Sequence, residues 1–557
     1  MKNTPIDPIS LEITWNSLNS IADECFVTLM RSAFSTNVKE RHDHSTAITD
    51  SIGKLIAQAE NALPIHLASM TGLIKHILDQ YEDSIEEGDI FIANDPHVAG
   101  GTHLPDINMA MPVFHEGKLI AFIANIVHHA DVGGAAVGSM SGGLNEIYKE
   151  GLRIPIVRLY RKGNIVDEIM RFLLLNMRLP EERKGDLNAQ IAACRLGVSR
   201  LNDIISKNSV GYLLQVFDEI LSRSKARMQN SIRELPDGEY SFSDVMDDDG
   251  LDKKDIKISV IIKKKGKSIL FDFSDTDMQV PGNFNLSFNA TQSAVSYSLK
   301  ALLDPEMPNN SGIFDAIDIS IPEGSFLNCI APASVALRAN TCQRVVDVVF
   351  GAFCDVLPEK VIGAANGANT SAVFSGINPK NGSRYVYLET LGGGMGGRFN
   401  KDGKDGVQVH ITNTSNLPVE AIEMEYPLRV EEYALVQNSG GAGKHRGGLG
   451  IRRTIRPINH DCEFAGVGER FRHSPWGVFG GGAGRPGQFY IEDQNSGKTK
   501  LVSKCSGVKL NEDMAVIMET PGAGGYGNPK ERDKEKIEED KSSQKFTEDI
   551  LEKLYNM

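Results

Sequence analysis

Between Ser10 and Phe34, apolar side chains return every three or four positions, at Leu11, Trp15, Leu18, Ala22, Cys25 or Phe26, Leu29 and Ala33. That spacing lines one face of a helix, so the segment is expected to be an amphipathic α-helix that packs. A second helix is expected from Met70, where MTGLIKHILDQYEDSIEEGDIFIAND passes into a strand; His76 on it reads as an ordinary surface or packing histidine. From about Asp167 to Arg233 few glycines or prolines interrupt the chain, and runs such as LNAQIAACRLGVSRLNDIISK predict helices. The character changes at Leu235. PDGEYSFSDVMDDDG is turn-rich, and DIKISVIIKKKGKSILFDFSD alternates as two strands joined at Lys265-Gly266. Strand patterns and glycine dominate afterwards, with no repeat of fixed period. The fold class expected is α+β, with mixed helices and strands, a helix-rich N-terminal half and a strand- and glycine-rich C-terminal half.

Two glycine-dense stretches, LGGGMGGRFNKDG (391–403) and VFGGGAGRPG (478–487), invite a phosphate-binding reading. Neither follows G-x-x-x-x-G-K-[ST], and Gly266-Lys267-Ser268 has Ile261 where the upstream glycine belongs. Tight turns are the expectation for both, and no self-sufficient nucleotide site is expected.

Composition narrows the class. The formal net charge of −14 over 557 residues repels nucleic acid and anionic membrane surfaces, so neither is expected as a partner. The seven cysteines are scattered and form no C-x-x-C pair, a pattern of reduced thiols in a cytoplasmic protein. Neither a signal-type apolar run at the N-terminus nor an 18-residue apolar span is present in the sequence.

The chemistry concentrates in one stretch. NDPHVAGGTHLPDINMAMPVFHEGKLIAFIANIVHHADVGG, from Asn94 to Gly134, holds five of the thirteen histidines, and the next is His410. A catalytic divalent metal needs several imidazole or carboxylate ligands with a position left open; His97, His103, Asp106, His128, His129 and Asp131 are the candidates. INMAMPVF and KLIAFIANIV read as two strands of a hairpin. A three-residue HEG loop with Gly117 left-handed would place Phe114 opposite Lys118, Asp106 opposite Ile126 and Leu104 opposite His128. His128 then shares a face with Asp106 while His129 points away, and a two-residue loop would reverse that choice. His103 can swing onto the same face from the loop around Gly100-Gly101 and Pro105, which makes His103, Asp106 and His128 the preferred ligands. The alternative is a polar cap on a hairpin. His129, Asp131 and Asp95 are candidates for orienting ligands or moving protons, and His97 and His115 read as surface residues.

Other polar clusters carry blander expectations. Arg41, His42, Asp43 and His44 suggest a turn network, and His410, Asn413, Glu420 and Glu425 a solvated loop and strand edge. Thr341, Cys342, Gln343 and Arg344 sit at an expected helix start. Three regions follow: 1–234, with the metal site and a helical bundle; 235–529, β-rich with glycine-rich loops; and 530–557, a charged tail that is solvated or docks as a helix.

The segments GDIFIANDPHVAGGTHLPD, HHADVGG, EGLRIPIV, GDLNAQIAA, YPLRVEEYALVQNSGGAGKHRGGLG and ETPGAGGYGNP, in this order, resemble the hydantoinase B/5-oxoprolinase family, the B-type subunit of ATP-dependent N-methylhydantoinases, lactamases and acetone-type carboxylases. The resemblance implies a hetero-oligomer in which an A-type ATPase subunit, binding ATP with Mg, phosphorylates a substrate carbonyl. The B-type chain completes the reaction on a small cyclic amide at a divalent metal, Mn, Zn or Fe. Carried onto this chain, the family's ligands are His103, Asp106 and His128. His97 departs from the family, in which many relatives have an aromatic residue after NDP. The function implied is ATP-dependent cyclic amide hydrolysis. A ketone carboxylase subunit and a non-catalytic scaffold for the ATPase are the alternatives.

Overall fold

The computed structural model describes residues 6–555. Helices take up 32% and strands 27%, in several sheets, an α+β fold. Among the described residues no helix is long and apolar enough to cross a membrane.

The first long helix, Pro8–Ser32, starts where expected. Proline sits at its first turn and the Asp7 carboxylate accepts the Ser10 N–H at 2.9 Å, so an orphan donor is capped. The chain leaves it along helix Pro180–Lys207, whose Asp186 accepts the Phe34 and Ser35 N–H groups at 2.8 and 3.0 Å.

The sheet that positions the site has seven strands: β1 (His44–Asp50), β2 (Leu55–Gln58), β3 (Ile90–Ala93), β4 (Asp106–His115), β5 (Lys118–His128), β6 (Val157–Arg161) and β7 (Asn164–Ile165). Their spatial order is β2-β1-β5-β4-β3-β6-β7, which makes β4 and β5 central. Both faces are covered. Ile123, Val113 and Val127 pack with helices Pro8–Ser32 and Pro180–Lys207, whereas Ala110, Ala124 and Ile126 pack with helix Leu67–Tyr81. That double coverage explains why KLIAFIANIV is continuously apolar rather than alternating.

The largest core runs through Leu63, Met140, Met228, Ile258, Leu299, Val346 and Val467, so it draws on residues from both sides of Leu235. Helix Arg338–Ala352 is buried along its whole length. Strands Lys254–Lys265 and Ser268–Asp272 join at Gly266 as expected. PDGEYSFSDVMDDDG, however, contains the 11-residue strand Gly238–Asp248, paired along Lys254–Lys265; its acidic residues had masked the alternation of Tyr240, Phe242 and Met246.

Of the two glycine-dense stretches only 399–400 and 479–480 are tight turns; the remaining glycines lie in other segments. They run as extended segments held side by side by backbone hydrogen bonds, such as Gly397 N–H to Gly524 O at 2.8 Å and Gly448 N–H to Met395 O at 2.8 Å. A Cβ on Gly396 would lie 1.8 Å from Gly363 O, and one on Gly524 1.8 Å from Trp476 O. At Gly396 and Gly524 glycine is there to let backbones touch, not to turn the chain. The charged tail docks: Ile537, Phe546, Leu551 and Tyr555 are buried with Ala442 and Leu449, and Arg532 bonds Asp402 at 2.7 Å.

Candidate metal centre

The hairpin that carries the site is built differently from the sequence expectation. Its turn has two residues, Glu116 and Gly117, both left-handed (φ 48° and 74°), with His115 opposite Lys118 and Phe114 opposite Leu119. Continued regularly, that register would put Asp106 opposite Val127 and turn His128 to the other face. A β-bulge intervenes: Ile120 has no partner, Val113 pairs Ala121, and from there the ladder runs to Asp106 opposite His128. The two-residue loop and the one-residue bulge cancel in parity.

His128 therefore shares a face with Asp106, the face under His66 and helix Leu67–Tyr81. His129 takes the opposite face, where its Nε2 lies 3.0 Å from Gln190 Oε1 of helix Pro180–Lys207. His103 comes from the loop before β4, and its Nδ1–H donates to Ala336 O at 2.9 Å. One ligand atom from each of His103, Asp106 and His128 lies within 4.8 Å of the others, and all three residues are buried.

The contacts leave particular atoms free. Asp106 Oδ2 accepts from Thr102 Oγ1 at 2.8 Å and from the Arg338 guanidinium, which also donates to Thr102. Asp106 Oδ1 and His103 Nε2 have no hydrogen-bond partner although they are 3.2 Å apart. Because the His103 proton is used at Nδ1, its Nε2 presents a lone pair to a carboxylate oxygen. Two buried acceptors facing each other need a cation between them. His128 turns Nδ1 toward the Asn37 amide at 3.3 Å and Nε2 toward Met140 Sδ at 3.2 Å.

Protonation is set for the same purpose. Burial lowers the pKa of His103, helped by the Arg338 charge, and drives that of His128 well down. Burial pushes Asp106 the other way, but Arg338, His103 and His66 hold its carboxyl well below the usual range. Two neutral imidazoles and one carboxylate form a ligand set ready for a divalent ion, so the residues present fit the implied metal.

His103 and His128 line a cavity of about 20 Å³, together with Asp43, His66, Met140, Arg338 and Thr412 among others. His66 Nε2 lies 3.7 Å from Asp106 Oδ2. Glu150 acts from behind: its Oε1 accepts the Val335 and Ala336 N–H groups at 2.8 Å each, fixing the carbonyl that orients His103. Burial pushes the Glu150 carboxyl up to about 8.

The three acid–base candidates lie apart from this cavity. His129 faces Gln190, and burial lowers it to about 4. Asp131 accepts from Gly133 N, Gly138 N and Arg178 Nη1 at 2.8–2.9 Å, and Asp95 accepts from the His97 and Val98 N–H groups and from Arg153. All three brace loops. His97 is half-buried and bonds Ala333 O at 3.0 Å.

The turn network at 41–44 is partly part of the site, because Asp43 lines the cavity while Arg41, fully buried, donates to Asn37 Oδ1 and Thr390 Oγ1 at 2.5 Å each. His410 is no solvated loop residue: it is 2% exposed beside Tyr297 and Phe350. Burial pushes the Cys342 thiol up to about 12, which leaves it inert. His66 and Arg338 carried no sequence signal of their own; they reach the triad only through the tertiary fold.

A family profile described as Hydantoinase B/oxoprolinase matches residues 7–529. The chain belongs to the hydantoinase B/oxoprolinase family. The B-type subunit of a putative D-/L-hydantoinase from Pseudomonas sp. (strain NS671) is 33% identical, over 96% of this chain and 92% of that one. A 5-oxoprolinase from Dictyostelium discoideum is 32% identical over 94% of this chain but only 40% of its own length. Among solved structures, the ATP-dependent caprolactamase from Pseudomonas jessenii superposes with a TM-score of 0.91 at 26% identity, covering 99% of this chain and 96% of that chain. An acetone carboxylase shares the fold, with a TM-score of 0.91 at 17% identity over 99% of this chain and 79% of the other.

Proposed function

We propose that this chain is the B-type component of an ATP-dependent cyclic amide hydrolase and that His103, Asp106 and His128 hold its divalent ion. The observation that carries the reading is the buried apposition of Asp106 Oδ1 and His103 Nε2, two acceptors with no hydrogen between them. Imidazole and carboxylate ligands suit Mn, Zn or Fe. The names of its relatives, a hydantoinase, 5-oxoprolinases and a caprolactamase, supply the substrate class and the ATP requirement.

An amide resists hydrolysis because its nitrogen donates into the carbonyl; phosphorylation of the oxygen by an A-type ATPase partner removes that protection. A divalent ion held by His103, Asp106 and His128 would supply a nucleophile at neutral pH by lowering the pKa of water toward 7. The chain's own groups do the rest. Arg338 and Thr102 fix the Asp106 carboxylate, and Ala336 O fixes the His103 ring. Ser45 Oγ accepts the Leu63 N–H and lies 2.9 Å from His66 Nδ1, so its hydroxyl proton points to Nδ1 and the His66 proton sits at Nε2, facing the cavity. That N–H is placed to donate a hydrogen bond to the leaving nitrogen. His129, Asp131 and Asp95 stay with the scaffold that holds the loops.

The test is co-expression with an A-type partner, followed by metal analysis and incubation with ATP and a panel of hydantoin, 5-oxoproline and caprolactam. Ring opening coupled to ATP cleavage is expected. Bicarbonate incorporation into ketones without any ring opening would overturn the reading in favour of a carboxylase. Metal content and turnover unaffected by His103→Ala, Asp106→Ala and His128→Ala would leave only a scaffold.

A further inference from the structure

A cavity of about 20 Å³ accommodates one water molecule and no ring, so a ring that reaches the triad needs part of the lining to move. Across one wall lies a pocket of about 380 Å³ lined by Ala62, Pro64, Tyr297, Lys300, Ala301 and Gln408, among others. Thr412 lines both spaces. The wall is one segment thick: along 62–67, Ala62, Pro64 and Leu67 face the pocket while Leu63, Ile65 and His66 face the cavity.

The second half of the wall, 408–414, is held to the first by the Ile65 N–H to Ile411 O bond at 3.0 Å and by Asn413 Nδ2 to Asn61 O at 3.3 Å. Ile411 sits at φ 58° and is spanned by a hydrogen bond of 2.5 Å from Thr412 N–H to His410 O. A β-branched residue in that conformation is strained. The pocket also carries unspent polar groups. Lys300 donates to Asn309 Oδ1 at 2.8 Å and forms no ion pair among the described residues, although it feels the charges of Asp304 and Glu306 and the exposed Glu60 lines the same pocket; the buried Ser296 hydroxyl has no partner.

We infer that this pocket receives a small ring substrate bearing an anionic group, and that the wall of 62–67 and 408–414 opens to pass it to the triad. The inference rests on the metal-centre reading. Lys300 supplies the charge for the anion, and Tyr297 and Gln408 supply polar contacts. Strain at Ile411 lowers the cost of breaking the two bonds that close the wall.

The experiment uses the metal-loaded chain and two chelating probes, pyridine-2,6-dicarboxylate, an anionic ring, and neutral 1,10-phenanthroline. Metal release is timed in the range where its rate depends on chelator concentration. Ala301→Trp fills the pocket and is expected to slow release to both probes about tenfold, with the final extent and Tm unchanged; Gln408→Trp serves the same end should Ala301→Trp not fold. Lys300→Ala is expected to slow only the dicarboxylate, about threefold, because a single charge near a narrow path steers only the anion. Folded tryptophan variants that release metal at the wild-type rate overturn the inference and leave the metal centre standing. A wild-type chain that takes up no metal overturns the metal-centre reading, and the inference with it.

Discussion

Two of the buried charged clusters among the described residues differ in what they leave unpaired. In the first, Arg470 donates to Asp244 at 2.7 Å and Asp347 at 3.0 Å, and Lys504 reaches Glu469 at 2.7 Å and Asp248 at 3.2 Å. Apart from His410 Nε2, 3.7 Å from Asp347 Oδ1, the nitrogens left over there, Arg344 Nε and Arg470 Nε, are donors, and each carboxylate meets a cation. In the second, Asp106 Oδ1 and His103 Nε2 are both acceptors and face each other. A fully compensated cluster knits the elements of a core; one left with opposed acceptors has the donor set that the proposed metal would complete.

The sharpest break is Asp106→Asn. It removes a charge from the ligand set, so loss of bound metal and a fall in turnover of at least about 10³-fold are expected, the equivalent of several kcal/mol of Lewis-acid assistance. Retained metal at full occupancy would place the site elsewhere. Lys504→Met in the other cluster should do the reverse. It leaves Glu469, 0% exposed, with Arg344 at 3.5 Å as its one cation beside the Asp247 N–H at 3.1 Å, so a loss of about 3 kcal/mol of stability is expected, read from the urea midpoint, while metal content stays at wild-type. Metal lost from a folded Lys504→Met chain would end the distinction between the clusters.

How much of this was legible in the chain depends on the range of the interactions. The helices at Pro8–Ser32 and Pro180–Lys207 and the hairpin at Gly266 are local patterns, and the sequence states them. The choice of His128 over His129 was reached through a hairpin loop that the structure replaces. A type I′ turn and the Ile120 bulge restore the same face, and a bulge inside a continuously apolar strand leaves no mark in the pattern. His66, Asn37 and Arg338 come from segments remote in sequence, so no spacing rule reaches them. His410 was misplaced for the same reason: Tyr297 and Phe350, which bury it, are more than 50 residues away.

His410 gives a smaller contrast, measured by pH. Burial pushes its pKa down to about 3, against about 6.5 in the unfolded chain. The unfolded chain therefore binds the extra proton between those values, so stability is whole above about pH 6.5 and is lost as pH falls, by about 1.4 kcal/mol per unit for this residue alone. His44, also lowered to about 3, and His129 act in the same direction. Urea midpoints between pH 7 and 5 should show a shallower slope for His410→Gln than for the wild type; equal slopes would mean that His410 does not stay neutral when folded.

The smallest effect separates the turn from the site it faces. Gly117 has φ 74°, and an added Cβ meets nothing within 4 Å, so Gly117→Ala costs only the left-handed conformation, about 1 kcal/mol. The far end of the hairpin is held independently: β1 pairs His44 with Val127 and Ser45 with Ile126, and the Asn37 amide donates to His128 O at 2.5 Å. Metal affinity in Gly117→Ala should therefore equal that of the wild type while the urea midpoint falls slightly. Were affinity to drop along with stability, the register at Asp106 and His128 would be set by the turn rather than by β1, and the cancellation between turn and bulge would be the feature that makes the ligand set.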